Sequence, residues 1–305
     1  MTVRVLEHVV RPAALGVRFR DVATGALVGE GLGAVLTSRS NPARTAALAA
    51  NGQRVWVTSN VPGMAPVPVF AASADGPPDD LPWWSQTKSG QSLTVTDPAG
   101  RFLPLRLDLD LPEKGLFQWP HWAALPQPLL APLTDDDGTG PVVCRDALPL
   151  FSAPGRRAPA GCAELRCQLA FQASNVPAAW ALLTASHAGR VCGLAQADAH
   201  GRAAMFFPWP PPIRPDLAAA PAPAAVTEFR WPLVITAYST ALDPARQPDL
   251  GALLAQLDHP RGVFASTIGG LTALPAQTLE FGRPMTLRTR TTPPGPQSLL
   301  LMAAA

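Results

Sequence analysis

The chain carries one pattern twice: Leu93-Thr94-Val95-Thr96-Asp97-Pro98-Ala99-Gly100-Arg101-Phe102 and, 101 positions later, Leu194-Ala195-Gln196-Ala197-Asp198-Ala199-His200-Gly201-Arg202-Ala203. Leu, Asp, Gly and Arg recur at identical offsets in the two copies. An Asp that opens a tight turn and a Gly placed where the backbone needs a positive φ predict strand, turn, strand in each copy. We therefore interpret six residues as structural turn residues: Asp97, Gly100, Arg101, Asp198, Gly201 and Arg202.

Composition predicts the same class of structure for the rest of the chain. The 305 residues include 36 Pro and 24 Gly, which long helices do not tolerate and which short strands joined by many turns require. Hydrophobic residues make up 47% of the chain and charged residues 15%, whereas disordered chains are polar and highly charged. We therefore predict an ordered, all-β protein.

Charge and hydropathy argue against two classes of partner. The net charge is +2 and the arginines are spaced along the predicted strands, so no basic cluster marks a nucleic-acid surface. No run of 18 apolar residues is present, so we predict no membrane span. Residues 1–20 alternate apolar with polar positions and lack the apolar core of a signal peptide. We expect a cytoplasmic protein.

The strand and turn pattern divides the chain into two β-domains. The first is predicted at 1–118 and contains a long inserted loop, 41–89, whose Ala-rich start at 41–51 could form a short helix. A Pro-rich connector at 119–159, apolar enough to pack on a surface, leads to a second β-domain at 160–305 with a C-terminal extension. One short helix is expected near 249–257, where Asp249 can cap leucines at helical spacing.

The sequence contains fragments of phosphate-binding, hydrolase and calcium-binding motifs, but each fragment lacks a required part. The glycines at 29–33 are not followed by a helix pattern, so they lack the helix N-terminus of a phosphate site. Ser186 and His187 lie outside any GxSxG elbow, and the acidic residues at 135–138 lack the closing Glu of a calcium loop. We predict no enzyme activity, no cofactor and no metal. Four free, partly buried thiols are expected: Cys144, Cys162, Cys167 and Cys192.

Seven tryptophans allow two interpretations: Trp83, Trp84, Trp119, Trp122, Trp180, Trp209 and Trp231. Exposed indole rings could form a sugar-stacking platform. Alternatively, indoles beside prolines pack loops onto the sheets, and this is the interpretation that we favour. The candidate binding residues are Trp83, Trp84, Trp119 and Trp122.

A meander of short strands, the D-x-x-G-R turn and an apolar strand ending at Pro together resemble the transthyretin-like, or carboxypeptidase-regulatory-like, domains. The matching residues are 17–28 with 94–112, and then 164–212. The resemblance implies two antiparallel β-sandwich domains and brings no catalytic residues. The loop at 41–89 and the extension from Val226 depart from the basic domain.

Three segments, 177–183, 198–210 and 281–289, are similar to accessory proteins of phage-tail-like contractile injection particles. This similarity implies a structural or adaptor component (cap, collar, baseplate or fibre attachment) whose partners are other protein subunits. Free strand edges such as 298–302 could dock a neighbour by strand addition. The alternative function is a glycan- or surface-binding module that uses the tryptophan-rich loops.

Overall fold

The structure is a computed structural model that describes residues 9–10, 12–68, 70–71, 82–119, 133–134, 141–142, 147–211, 229–267, 270–289 and 299–304. Trp122, Cys144 and the acidic residues at 135–138 lie outside these ranges. Strands dominate the described residues, and the all-β prediction is confirmed. None of the helices in the described part of the chain is long and apolar enough to cross a membrane.

The first unit is built on a seven-stranded sheet. The strands in this part of the chain are β1 (Val9–Val10), β2 (Leu15–Asp21), β3 (Gly33–Ser38), β4 (Thr45–Ala50), β5 (Trp56–Thr58), β6 (Phe70–Ala71), β7 (Ser89–Thr96), β8 (Leu105–Leu111), β9 (Leu133–Thr134), β10 (Pro141–Val142) and β11 (Ala147–Leu150). The seven-stranded sheet has the order β11-β2-β5-β4-β3-β7-β8, while β1 with β6 and β9 with β10 form two separate pairs. Residues 45–48 of β4 pair with β3, and residues 49–50 pair with β5.

The Ala-rich start of the inserted loop forms a strand, so the helix predicted at 41–51 is wrong. Residues 45–50 are β4, in which Ala46 and Leu48 are buried and their neighbours are exposed. This alternation matches the period of a half-buried strand, and pairing with β3 outweighs the helix propensity of Ala.

The end of the proposed connector belongs to the first sheet. Residues 147–150 form β11, which pairs in parallel with β2 and is buried along its whole length. The chain then returns to the first turn, where the N–H of Leu103 donates to the carbonyl of Phe151 at 2.9 Å. The two ends of the sheet therefore approach each other here.

The elements of the second unit are β12 (Cys162–Phe171), β13 (Leu182–His187), β14 (Arg190–Gln196), β15 (Arg202–Pro208), β16 (Arg230–Tyr238), α1 (Leu250–Leu254), β17 (Pro260–Arg261), β18 (Phe264–Thr267), β19 (Gly270–Ala273), β20 (Gln277–Glu280), β21 (Met285–Thr286) and β22 (Leu299–Met302). Its two larger sheets contribute to one apolar core, and β18 pairs with β19 as a separate two-stranded sheet. In one of the larger sheets β12 pairs with β15 on one side and with β21 and β22 on the other. In the other the order is β14-β13-β16, with β17 and β20 both beside β16.

The short helix lies where the sequence predicts it. The α-helix α1 continues into a 3-10 turn at Ala255–Asp258, and the carboxylate of Asp249 accepts the N–H of Gly251 at 2.8 Å. The buried leucines of α1 belong to the core of the first unit, as do Trp180 and Leu182 of the second. The two units therefore share an apolar interface, and 151–161 is one of several links between them.

The C-terminal strand does not offer the free edge that we proposed for docking. β22 pairs in parallel with β12 along one side. On its other side the N–H of Leu301 donates to the hydroxyl of Thr289 at 2.7 Å, and Met302 bridges to Val263. Strand addition at 299–302 is therefore blocked, and that interpretation is wrong.

Candidate interaction surface

The first repeated turn is held together by its own carboxylate. Asp97 accepts the N–H groups of Ala99 at 3.2 Å and Arg101 at 2.7 Å, and the Nε of Arg101 at 3.0 Å. Burial of the carboxylate acts to raise the pKa of Asp97, but the hydrogen bonds from Arg101 and Ala99 outweigh it, so the pKa lies below its ordinary value. The carboxylate of Asp97 therefore stabilises its own turn.

The second turn repeats this arrangement. Asp198 accepts the N–H groups of His200 at 2.8 Å and Arg202 at 2.9 Å, together with the Nε of Arg202 at 2.9 Å. Gly100 and Gly201 have φ of +66° and +72°, which confirms the positive values that the turn predicts. The repeated motif therefore has a structural role in both copies: it forms and stabilises a tight turn.

The candidate tryptophans are mostly inside the first unit. Trp83 is 4% exposed and donates from Nε1 to the carbonyl of Ala65 at 2.7 Å, and Trp119 is 6% exposed. Trp84 is half-buried and meets Trp83 edge to face at 4.9 Å between ring centroids. The buried rings have no open face on which a sugar could stack, and Trp122 lies outside the described residues.

A different set of aromatic rings reaches the surface, at one end of the second core. Trp231 is fully buried and packs against Trp209, with ring centroids 5.8 Å apart. Trp209 packs against Phe281 at 4.9 Å, and Phe281 against Phe229 at 5.7 Å. Phe281 is 58% exposed and Phe229 is 48% exposed. We call Trp209, Phe229 and Phe281 the aromatic patch.

Strand alternation explains why the patch is exposed. In β16 and β20 the side chains of Trp231 and Leu279 point into the core, and Phe229 and Phe281 lie two residues beyond them on the same face. The backbones are still paired there, because the N–H of Phe281 donates to the carbonyl of Phe229 at 3.0 Å. The alternation that places apolar side chains in the core therefore continues one step beyond it, where Phe229 and Phe281 are exposed.

Charged side chains border the patch. Glu280 forms ion pairs with Arg230 at 3.2 Å and with Arg283 at 2.8 Å, and the two guanidinium side chains are 65% and 78% exposed. An apolar centre beside polar, solvent-exposed groups is the usual anatomy of a protein interface. The patch and its rim are therefore the best candidate for a site of interaction in the described structure.

A second concave surface lies between β8 and α1. The cavity measures about 350 Å³ and is lined by the acidic residues Asp108, Asp110, Glu113 and Asp249 over Phe117 and Trp119. Three of the carboxylates already have partners: Arg106 for Asp108, Arg39 for Asp110, and two backbone N–H groups for Asp249. The cavity is thus part of the junction between the two units.

The described histidine and cysteine residues that could suggest catalysis have surroundings that do not favour it. The Nδ1 of His187 lies 3.0 Å from the carbonyl of Pro232, so the ring is bonded to the sheet backbone. Burial raises the pKa of Cys167 to about 12 and that of Cys192 to about 11. Within the described ranges, no group of three His, Cys, Asp or Glu side chains is placed to hold a metal ion.

Sequence reasoning considered Trp209 and Trp231 but missed Phe229 and Phe281, because it looked only at tryptophans. The available signal was the spacing of Phe229 with Trp231 and of Leu279 with Phe281, which extends an inward-facing pattern by one step in each strand. Only the pairing of β16 with β20 shows that the two extensions meet.

The fold and this surface define a class: an all-β protein of two joined units that exposes aromatic side chains at the end of one core. No protein-family model, no curated protein and no solved structure matches the chain.

Proposed function

We propose that this protein is a structural adaptor that binds another protein subunit through the aromatic patch. The observation that carries the proposal is the exposure of Phe229 and Phe281 on the stack of rings that begins at buried Trp231. Large exposed apolar groups on soluble proteins are typical of interaction sites, and aromatic anchors provide much of the binding energy there.

The joined β-units support this role, because an adaptor must hold its binding surface in a fixed position. Arg156 forms a two-bond ion pair with Asp21 of β2, and its guanidinium lies over the rings of Phe102 in the first unit and Phe206 in the second. Arg166 of β12 donates to the carbonyls of Pro154 and Arg156. These contacts link the two units through residues other than those of the α1 interface.

The more specific proposal is that the assembly is a contractile phage-tail-like particle, formed in the cytoplasm, in which the protein acts as a cap, collar, baseplate or fibre-attachment component. Two of the segments that resemble accessory proteins of such particles, 198–210 and 281–289, contribute Trp209 and Phe281 to the patch. The resemblance and the candidate surface therefore coincide.

The experiment is co-sedimentation of the tagged protein with particles from its native host. We expect the wild type to sediment with sheath-and-tube particles and Phe281→Ser to remain in the supernatant. Val176→Ser removes a side chain that is 51% exposed elsewhere on the second unit, and should sediment normally. A wild-type protein that is recovered only as a free monomer, absent from every particle fraction, would overturn the proposal.

The second candidate is a glycan-binding module, since exposed aromatic faces also stack on sugar rings. Phe281 is the most exposed residue of the patch, and Trp84, in the loop that the sequence suggested, is half-buried. A glycan array distinguishes the two. Retention that is lost in Phe281→Ser or Trp84→Ala would favour this function, and no retention by the wild type would exclude it.

A further inference from the structure

We propose that the partner of the aromatic patch is an extended, acidic segment that pairs with the open edge of β20 and places an apolar side chain on Phe281. This inference rests on the proposed function and adds the chemistry of the subunit that the patch recognises.

The edge of β20 is the first observation. β20 pairs with β16 from Arg230–Glu280 to Leu233–Gln277, and within the described ranges it has a strand partner on that side alone. An edge strand presents unpaired N–H and carbonyl groups that can accept a further strand. Phe281 directly follows this edge, so an added strand would run beside the patch.

The direction of the edge groups follows from Pro232, which faces Thr278 across the pair. The carbonyl of Pro232 points toward β13, where it contacts His187. The N and carbonyl of one strand residue point to the same side, so the pair of Pro232 with Thr278 is the kind without mutual hydrogen bonds. The N–H and carbonyl of Thr278 therefore point away from β16, toward the open edge.

The charges at the rim indicate the chemistry of the added segment. Arg230 and Arg283 share the single carboxylate of Glu280, which leaves a net charge of about +1 at the rim by this count. Each guanidinium carries five N–H donors, and both side chains are mostly exposed, so donors remain free to bind carboxylates. A segment with acidic side chains is therefore favoured over a basic one.

The aromatic rings supply the anchor. Phe281 and Phe229 together expose a surface that continues directly from the buried core, and apolar contact there would be bordered by the two arginines. Anchors of this type, surrounded by polar groups that exclude water, concentrate binding energy at the centre of an interface. Backbone pairing supplies affinity, and the ring and the charges supply selectivity.

The first test uses a short fluorescent peptide in which Asp and Phe alternate, and a second in which Lys replaces Asp. We expect the wild type to bind the Asp peptide and not the Lys peptide, with affinity that decreases as salt is added. The variant Arg230→Glu with Arg283→Glu should weaken binding at least about tenfold, while Arg246→Glu, an exposed arginine on another loop, should bind as the wild type does.

The second test concerns the edge itself. Thr278→Pro removes the edge-facing N–H and leaves the pairing with β16, because proline is tolerated at an edge position. We expect it to weaken binding of the Asp peptide at least about fivefold with an unchanged thermal transition. Equal binding of the Asp and Lys peptides, binding of neither, or full binding by Thr278→Pro would each overturn the inference.

These outcomes are separable from failure of the proposed function. If Phe281→Ser abolishes co-sedimentation with particles while the arginine variant and Thr278→Pro still sediment normally, the patch is an adaptor surface and the acidic-strand inference is wrong. If the wild type never associates with particles, the proposed function is wrong, whether or not the Asp peptide binds.

Discussion

The carboxylate of Asp249 joins the edge strand of the first unit to the helix of the second. Its Oδ2 accepts the backbone N–H of Asp108 in β8 at 2.7 Å, and its Oδ1 accepts the N–H of Gly251 in α1 at 2.8 Å. One backbone N–H on the outer edge of β8 is thereby bonded to a side chain of the second unit. An edge group that is already bonded cannot pair with another chain.

Two substitutions of Asp249 measure the contributions of its two hydrogen bonds separately. Asp249→Ala should lower the free energy of unfolding by about 2 kcal/mol, because it removes a helix cap and a charged acceptor from a backbone donor. Asp249→Ser keeps a capping oxygen but is too short to reach Asp108, so it should lose only about 1 kcal/mol. Urea denaturation measures both. Equal losses in the two variants would show that the cap contributes nothing, and a Ser variant as stable as the wild type would show the same for the bond to Asp108.

The two repeated turns predict different costs for the same substitution. Gly100→Ala should destabilise by about 1 kcal/mol, since its positive φ is unfavourable for Ala but an added Cβ meets nothing within 4 Å. Gly201→Ala should cost more, because its Cβ would lie 2.3 Å from the carbonyl oxygen of Leu169 and force the backbone to move.

Thermal and urea unfolding of the two variants check this order. Gly115→Ala is the matched control, because Gly115 also has a positive φ and its added Cβ would meet nothing within 4 Å. Its cost should equal that of Gly100→Ala. A smaller cost at Gly201 than at Gly100 would mean that the second turn relaxes away from Leu169.

Local signals in the sequence were sufficient for the turns and the helix. Gly100 and Gly201 need a positive φ that depends on four neighbouring residues, and Asp249 caps a helix within three residues of itself. Such features are set by backbone geometry close to the residue, so one sequence is enough to predict them.

Features that depend on distant partners could not be predicted in this way. The Ala-rich 45–50 became a strand because β3 and β5 lie beside it, and 147–150 joined the first sheet because β2 offered an edge. The aromatic patch requires Trp209, Phe229 and Phe281 to meet from three places in the chain. These choices are made by long-range packing, which overrides local propensity.

The lowered pKa of Asp97 predicts a pH-dependent contribution to stability. Because the folded pKa lies below that of the unfolded chain, the contribution is complete above the unfolded value of about 3.9 and is lost as the pH falls through the folded value. Asp97→Asn should therefore be less stable than the wild type at pH 7, and the difference should narrow below about pH 4. Urea unfolding across this range tests it; a difference that is independent of pH would contradict the assignment.

The described thiols should react slowly in the folded protein. Burial raises the pKa of Cys167 to about 12 and of Cys192 to about 11, and also raises that of Cys162, so little thiolate forms near pH 7. In a Cys144→Ser background, a thiol reagent should modify the native protein far more slowly than the unfolded protein. Rapid labelling of native Cys167 would show that the second core opens frequently.

The ion pair of Arg156 with Asp21 predicts the largest loss of stability. Its Nη2 and Nη1 lie 2.6 and 2.9 Å from the two carboxylate oxygens, and both side chains are nearly buried. Arg156→Met leaves the carboxylate without its counter-charge and should cost about 3 kcal/mol, as removal of one partner from a buried pair typically does. Adding Asp21→Asn to Arg156→Met should recover part of the lost stability, because it removes the unpaired negative charge of Asp21.

The exposed pair of Arg39 with Asp110 is the matched control for that experiment. Its side chains are 45% and 60% exposed, so Arg39→Met should change the free energy of unfolding by less than about 1 kcal/mol. Calorimetry adds a second observable: wild type and Arg39→Met should unfold in one transition, while Arg156→Met should separate the transitions of the two units if this ion pair couples them. A single, unshifted transition in Arg156→Met would show that α1 and the shared apolar interface are sufficient to join the units.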